Sequence, residues 1–149
     1  MIARLLLAFA VAVVATEILA AAASTQFVLA RLVELDVRVP FDVRLATTLR
    51  DVVGMAGTYL PIIAIGQAIA FLLCAAVVRR LSPLWARIGY PLAGFCAVTV
   101  ALALMIQLFE ITPVAGARSV TGFLVQGLAG AVGGWLFARL RPGAVPAGG

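Results

Sequence analysis

An all-α membrane protein, built as a four-transmembrane-helix antiparallel bundle with an ordered outer loop, is the fold this sequence predicts, on three observations. Four apolar stretches, about 3–30, 52–78, 88–109 and 119–140, occupy most of the 149 residues. Each is ~20 residues or more, long enough to cross ~30 Å of hydrocarbon as a helix. The chain is 64% hydrophobic and only 11% charged, which excludes disordered, nucleic-acid-binding and ordinary globular readings.

The first stretch begins with Arg4 and passes through an apolar zone to the small residues Ala20, Ala21, Ala22 and Ala23. That zoning also marks secretory signal peptides, but Glu17 sits late in the apolar zone and argues for a retained first helix.

Residues 31–51 form the expected outer loop. Within it, residues 33–45 read V-E-L-D-V-R-V-P-F-D-V-R-L, so that apolar and polar side chains alternate. The alternation fits a short half-buried strand interrupted by Pro40. An equal alternative is an extended chain to about Val39, followed by a short interfacial helix from Asp42 with Leu45, Leu49 and Val52 on one face. Either form caps the bundle and offers Arg38, Asp42 and Arg44 to a partner.

The second helix carries Pro61, which frees a carbonyl one turn earlier and is expected to kink the span. Short links follow at 79–87, with Ser82 and Pro83, and at 110–118, with Pro113 and Gly116. Links of this length force antiparallel neighbours. Glu110 and Arg118 bracket the second link and are expected to pair across it. The Pro/Gly-rich tail 142–149 is expected to be disordered, leaving one domain over 1–141. Trp85, Tyr90 and Trp135 are expected at the inner interface and Tyr59 towards the outer one, as amphipathic anchors.

Orientation follows from arginine placement. All eleven basic residues are arginines, and Arg79, Arg80 and Arg87 share a short acid-free link, which places that link and both termini in the cytoplasm. The expected setting is a bacterial inner membrane, with no nucleic acid as partner.

Small residues recur at helical spacing. The fourth helix has Gly122, Gln126, Gly130, Gly134 and Ala138 at every fourth position, and the second offers Gly66 and Ala70. In lipid, close backbone approach drives association, so Gly122, Gly130, Gly134, Gly66 and Ala70 are the helix-packing candidates, within one chain or towards a homo-oligomer or other membrane subunits.

Glu17 is the sharpest polar feature. It lies ~20 Å of helix beyond Arg4, too deep to reach that interface by bending. A charged carboxylate at that depth costs several kcal/mol unless it is paired. Ala20, Ala21 and Ser24 leave space beside it, and Gln67, Gln126 and Thr121 are its candidate partners. The segment A-T-E-I-L-A around Glu17 resembles the first helix of the small multidrug resistance exporters, which also have four helices and one glutamate in the first. That resemblance implies an ion- or proton-binding role for Glu17. The chain departs from the family in its greater length, its charged first outer loop and its third helix.

Other chemistries fail on absences. The chain lacks His, Lys and Asn, which removes His-held haem and the common His-containing metal sites. Cys74 and Cys96 lie inside spans and read as packing residues rather than a thiol relay. Asp36, Asp42 and Asp51 all fall in or beside the loop, so no intramembrane aspartate pair exists. Neither an enzyme, a metal nor a cofactor is expected. The reading preferred from sequence is a structural or accessory subunit acting through helix packing and the outer loop. The alternative is a small proton- or cation-coupled transporter or channel using Glu17, with Gln67 and Gln126. A transporter needs a polar path from Glu17 to one surface, whereas a scaffold needs that carboxyl to hold helices together.

Overall fold

A computed structural model describes residues 1–78, 80, 84–109 and 119–143. The described residues form four helices and no strand: α1 (Ile2–Glu34), α2 (Phe41–Val78), α3 (Leu84–Phe109) and α4 (Val120–Leu140). Each is long and apolar enough to span a membrane.

The ordered outer loop is corrected by this arrangement. Of residues 31–51, only Leu35 to Pro40 lie outside a helix, because α1 and α2 both run further than the apolar stretches suggest. The turn closing α1 explains its limit. The Asp36 amide donates to the Val33 carbonyl and the Val37 amide to the Leu32 carbonyl, both at 3.1 Å. This is the paired bonding of a Schellman motif, and Asp36 occupies its left-handed position with φ 60. Aspartate is one of the few non-glycine residues that tolerate that region. Across the connection, the Pro40 carbonyl accepts from the Arg44 amide at 3.0 Å, opening α2.

The strand reading of residues 33–45 therefore fails. A lone strand leaves its backbone groups unpaired, whereas a helix satisfies them within the segment. The competing reading was nearer, since a helix starts beside Asp42. That helix is no separate piece, however, and continues through Pro61 to Val78. At ~1.5 Å per residue, its 38 residues extend ~57 Å, well beyond one bilayer core.

The four helices form a ring in chain order. α1 packs on α2, α2 on α3, α3 on α4, and α4 closes the ring on α1. The tightest seam joins α3 to α4. A methyl group added at Gly94 would strike the Gly130 carbonyl, one at Gly130 would strike the Gly94 carbonyl, and one at Gly134 would strike that of Tyr90. Gly122, Gly127, Gly130, Gly133 and Gly134 are all buried, so this helix face is consumed inside the bundle. α4 starts at Ser119, whose Oγ accepts from the Gly122 amide at 3.0 Å and caps the helix.

The interior changes along its length. Towards the ends of the bundle where the two termini lie, Phe9, Phe71, Tyr90 and Phe137 pack ring on ring, with Phe71 and Phe137 stacked at 4.6 Å. Tyr90 is 1% exposed and packs inside the bundle rather than on its outer face. Trp85 and Trp135 are exposed. Apolar side chains cover the outside, with Ile65, Ile69, Leu72, Val100, Leu104 and Leu128 among those most open.

Candidate functional site

The polar side chains that sequence alone leaves scattered over three helices meet in the middle of the bundle. Thr16, Glu17, Gln67, Gln126 and Tyr59 are each buried, and Glu17 is 2% exposed. Their positions follow from antiparallel packing. Thr16 and Glu17 are halfway along α1, Tyr59 and Gln67 flank Pro61 on α2, and Gln126 sits two turns into α4.

Two chains of hydrogen bonds tie these groups together. In the first, the Gln67 Nε2 donates to Thr16 Oγ1 at 2.7 Å, and the Thr16 hydroxyl donates to the Ala12 carbonyl at 2.9 Å. Gly133 makes this possible, because a side chain there would occupy the space of Thr16 Oγ1. In the second, the Tyr59 hydroxyl donates to Gln126 Oε1 at 3.3 Å, and Gln126 Nε2 donates to the Ala20 carbonyl at 2.9 Å. These bonds cross the ring from α2 to α4 to α1.

Glu17 stands apart from both chains. No hydrogen bond joins it to Gln67, Gln126 or Thr121, its partners expected from sequence; Thr121 is exposed. The Glu17 Oε1 is buried without a hydrogen-bond partner, and so is the Gln67 Oε1. Each side-chain donor of the two chains has a partner, while two acceptor oxygens have none. Buried acceptors left in this state are costly, at ~1–3 kcal/mol for a neutral group. Such groups mark a place for a water, a proton or a cation.

Polar groups continue from the centre towards the α1–α2 turn. Ser24 and Thr25 are buried on α1, and the Thr25 hydroxyl lies 2.8 Å from Asp51 Oδ2 and 3.0 Å from the Ala21 carbonyl. Nearer the surface, Gln26 Nε2 donates to the Thr48 hydroxyl at 3.0 Å, and Gln26 Oε1 accepts from Arg44 at 3.4 Å. Arg38 and Asp42 are exposed beside a hollow of ≈ 600 Å³ between the helix ends, lined by Asp36, Arg38, Pro40 and Arg44 among others. Glu110 and Arg118, the expected pair, lie outside the described residues.

Among the helix-packing candidates, Gly122, Gly130 and Gly134 are buried on α4. Gly66 meets the Ala97 carbonyl across α2 and α3 at ordinary contact distance, 3.5 Å from where a Cβ would stand. Ala70 is half-buried. Reasoning from sequence missed Tyr59 as an interior residue, the Thr25 and Asp51 contact, and Gly94 and Gly133 as seats for a neighbouring helix. A signal was present for two of them. In antiparallel neighbours paired positions add to a near-constant sum, and Tyr59 with Glu17 gives the same sum as Asp51 with Thr25.

Among the described residues, no group of three or more potential metal ligands occurs. No protein-family model, curated protein or solved structure matches this chain. The resemblance to small multidrug resistance exporters thus rests on the segment around Glu17 alone.

Proposed function

We propose that this chain is a multi-pass protein of the bacterial inner membrane, with both termini cytoplasmic, that binds a proton or a small cation at Glu17. The observation that carries this reading is the pair of buried, unpartnered acceptor oxygens, Glu17 Oε1 and Gln67 Oε1. A scaffold role gives the carboxyl the task of joining helices. Thr16, Gln67, Tyr59 and Gln126 do that joining instead, and Glu17 takes no part in it. This reading puts the cation site before the scaffold, the opposite order to the one preferred from sequence.

The chemistry of the site favours a cation over an anion. The hydroxyl protons of Thr16 and Tyr59 are committed to internal acceptors. What remains unused is acceptor capacity, which suits a species that donates hydrogen bonds or carries positive charge.

The test is infrared difference spectroscopy of the Glu17 carboxyl in lipid between about pH 5 and pH 9, spanning the usual titration range of perturbed carboxyls, with Glu17→Gln to assign the band. Titration in this window, together with a shift on adding sodium, potassium or ammonium, is the expected result. A carboxyl indifferent to both pH and cation refutes the proposal.

A second reading, the structural or accessory subunit, is favoured by one observation on α2. A methyl group added at Gly54 or Gly57 would meet no atom of another segment within 4 Å, and Val53 is among the most exposed apolar residues of the described chain. Close approach by a partner helix would use such a surface. Crosslinking through cysteines placed at Gly54 and Gly57 tests it, and a monomer in lipid without crosslinks would count against it.

A further inference from the structure

Glu17 lies eight residues from Phe9 on one side and eight from Thr25 on the other, ~12 Å of helix in each direction. The two directions differ in chemistry. Towards the termini, Ala12 and Val13 are buried, the Thr16 hydroxyl is committed, and the interior ends in the four rings of Phe9, Phe71, Tyr90 and Phe137. Arg141 closes this end. Its guanidinium lies 4.6 Å from the centre of the Tyr90 ring and donates to the Tyr90 hydroxyl at 3.0 Å.

Towards the α1–α2 turn, polar atoms recur at each turn of α1. The Ala20 carbonyl meets Gln126, the Ala21 carbonyl meets Thr25, Ser24 is buried beside them, and Thr25 meets Asp51. Asp51 is only part-buried, and the one ion pair among the described residues, Arg31 with Glu34, does not involve it. A carboxylate so placed attracts cations to the head of a polar line.

We infer that Glu17 is reached from the α1–α2 turn only, with Asp51, Thr25 and Ser24 as the path, and that the aromatic cluster under Arg141 seals the opposite end. This rests on the proposed binding role of Glu17 and adds a direction to it. Asp51 becomes a further residue of the site, the first station for the cation. A ring cluster in contact at 4.6 to 6.5 Å between centroids leaves little room for a hydrated ion.

The experiment is thiol labelling from each face of sealed, oriented proteoliposomes with a membrane-impermeant cationic methanethiosulfonate. The background carries Cys74→Ala and Cys96→Ala, and Arg38→Cys marks the face of the α1–α2 turn. Thr25→Cys and Glu17→Cys are expected to react from that face and not from the other. Adding Phe137→Ala is expected to make Glu17→Cys reactive from the terminal face as well. Since these variants alter the interior, the native chain is labelled in parallel with a water-soluble carbodiimide and an amine nucleophile, and Glu17 is read by peptide mass spectrometry.

Reaction at position 17 from the terminal face without Phe137→Ala overturns the inference, and so does failure to react from either face. The two proposals fail separately. A Glu17 band that ignores pH and cations, with labelling from the turn face intact, removes the binding role and keeps the path. Titration with labelling from the terminal face removes the path alone.

Discussion

Replacing Gly94 by alanine should destabilise the bundle through one contact that cannot yield. The added methyl would stand against the Gly130 carbonyl oxygen and 2.9 Å from its carbonyl carbon. A side chain in that position could rotate away, but a backbone carbonyl within a helix cannot, so α3 and α4 must separate by on the order of 1 Å. A gap of that size forfeits a quarter to a half of each atomic contact worth ~0.1–0.2 kcal/mol, and over some tens of contacts the loss is about 1–3 kcal/mol. Gly130→Ala meets the Gly94 carbonyl and the Val98 methyl at 2.7 Å, so it should cost a similar amount. Once the seam has opened for one methyl, the other fits more easily, and the double variant should cost clearly less than the sum. Gly57→Ala is the control, because the added methyl would meet no neighbouring segment within 4 Å. Helix propensity alone makes that change neutral to about 1 kcal/mol stabilising. Reversible unfolding in mixed detergent micelles, followed by circular dichroism, measures all four variants. Equal behaviour of Gly94→Ala and Gly57→Ala would refute the close backbone approach and the packing argument built on it.

The polar centre and the terminal seal give three further expectations. Gln126→Leu should cost about 1–2 kcal/mol by losing two interhelical hydrogen bonds and stranding the Tyr59 hydroxyl, and adding Tyr59→Phe should return part of that, as a double-mutant cycle in micelles would measure. Glu17→Leu should leave the unfolding midpoint unchanged or raise it, since an unpartnered buried carboxyl is replaced by an apolar group of similar size; a loss of more than about 1 kcal/mol would indicate a structural hydrogen bond after all. Arg141→Gln should weaken the terminal end by about 0.5–2 kcal/mol through the lost ring contact, and faster amide exchange around Phe137 than around Gln126 is the readout.

The number and type of elements were legible because apolar length is a strong signal and little else in the chain competes with it. Helix ends were less so. Hydropathy stops at Ala30 and resumes at Val52, yet the backbone stays helical to Glu34 and again from Phe41. Charged residues such as Arg31, Glu34, Asp42 and Arg44 mark where an apolar environment ends, which is a different boundary from where a helix ends. The alternation in residues 33–45 misled for a related reason. Side-chain period argues for a strand only when a second strand can complete its hydrogen bonds, and Asp36 offered a cheaper way to turn the chain.

The site was legible as composition but not as connectivity. Glu17, Gln67 and Gln126 were visible as rare polar residues in apolar stretches, and all three are buried together. Which of them bond to each other depends on helix rotation and on which neighbours are small, and those are properties of pairs of helices. Gly133 is the instructive case. Read along α4 it is one small residue among several, yet its missing side chain leaves room for Thr16 Oγ1 to accept from Gln67. With Thr16 taking the Gln67 amide and Ala20 taking the Gln126 amide, Glu17 is left without the partners its surroundings contain. Its Oε1 and the Gln67 Oε1 remain as acceptors without a donor, and this is the physical content of the proposal that Glu17 takes a mobile cation rather than a fixed bond.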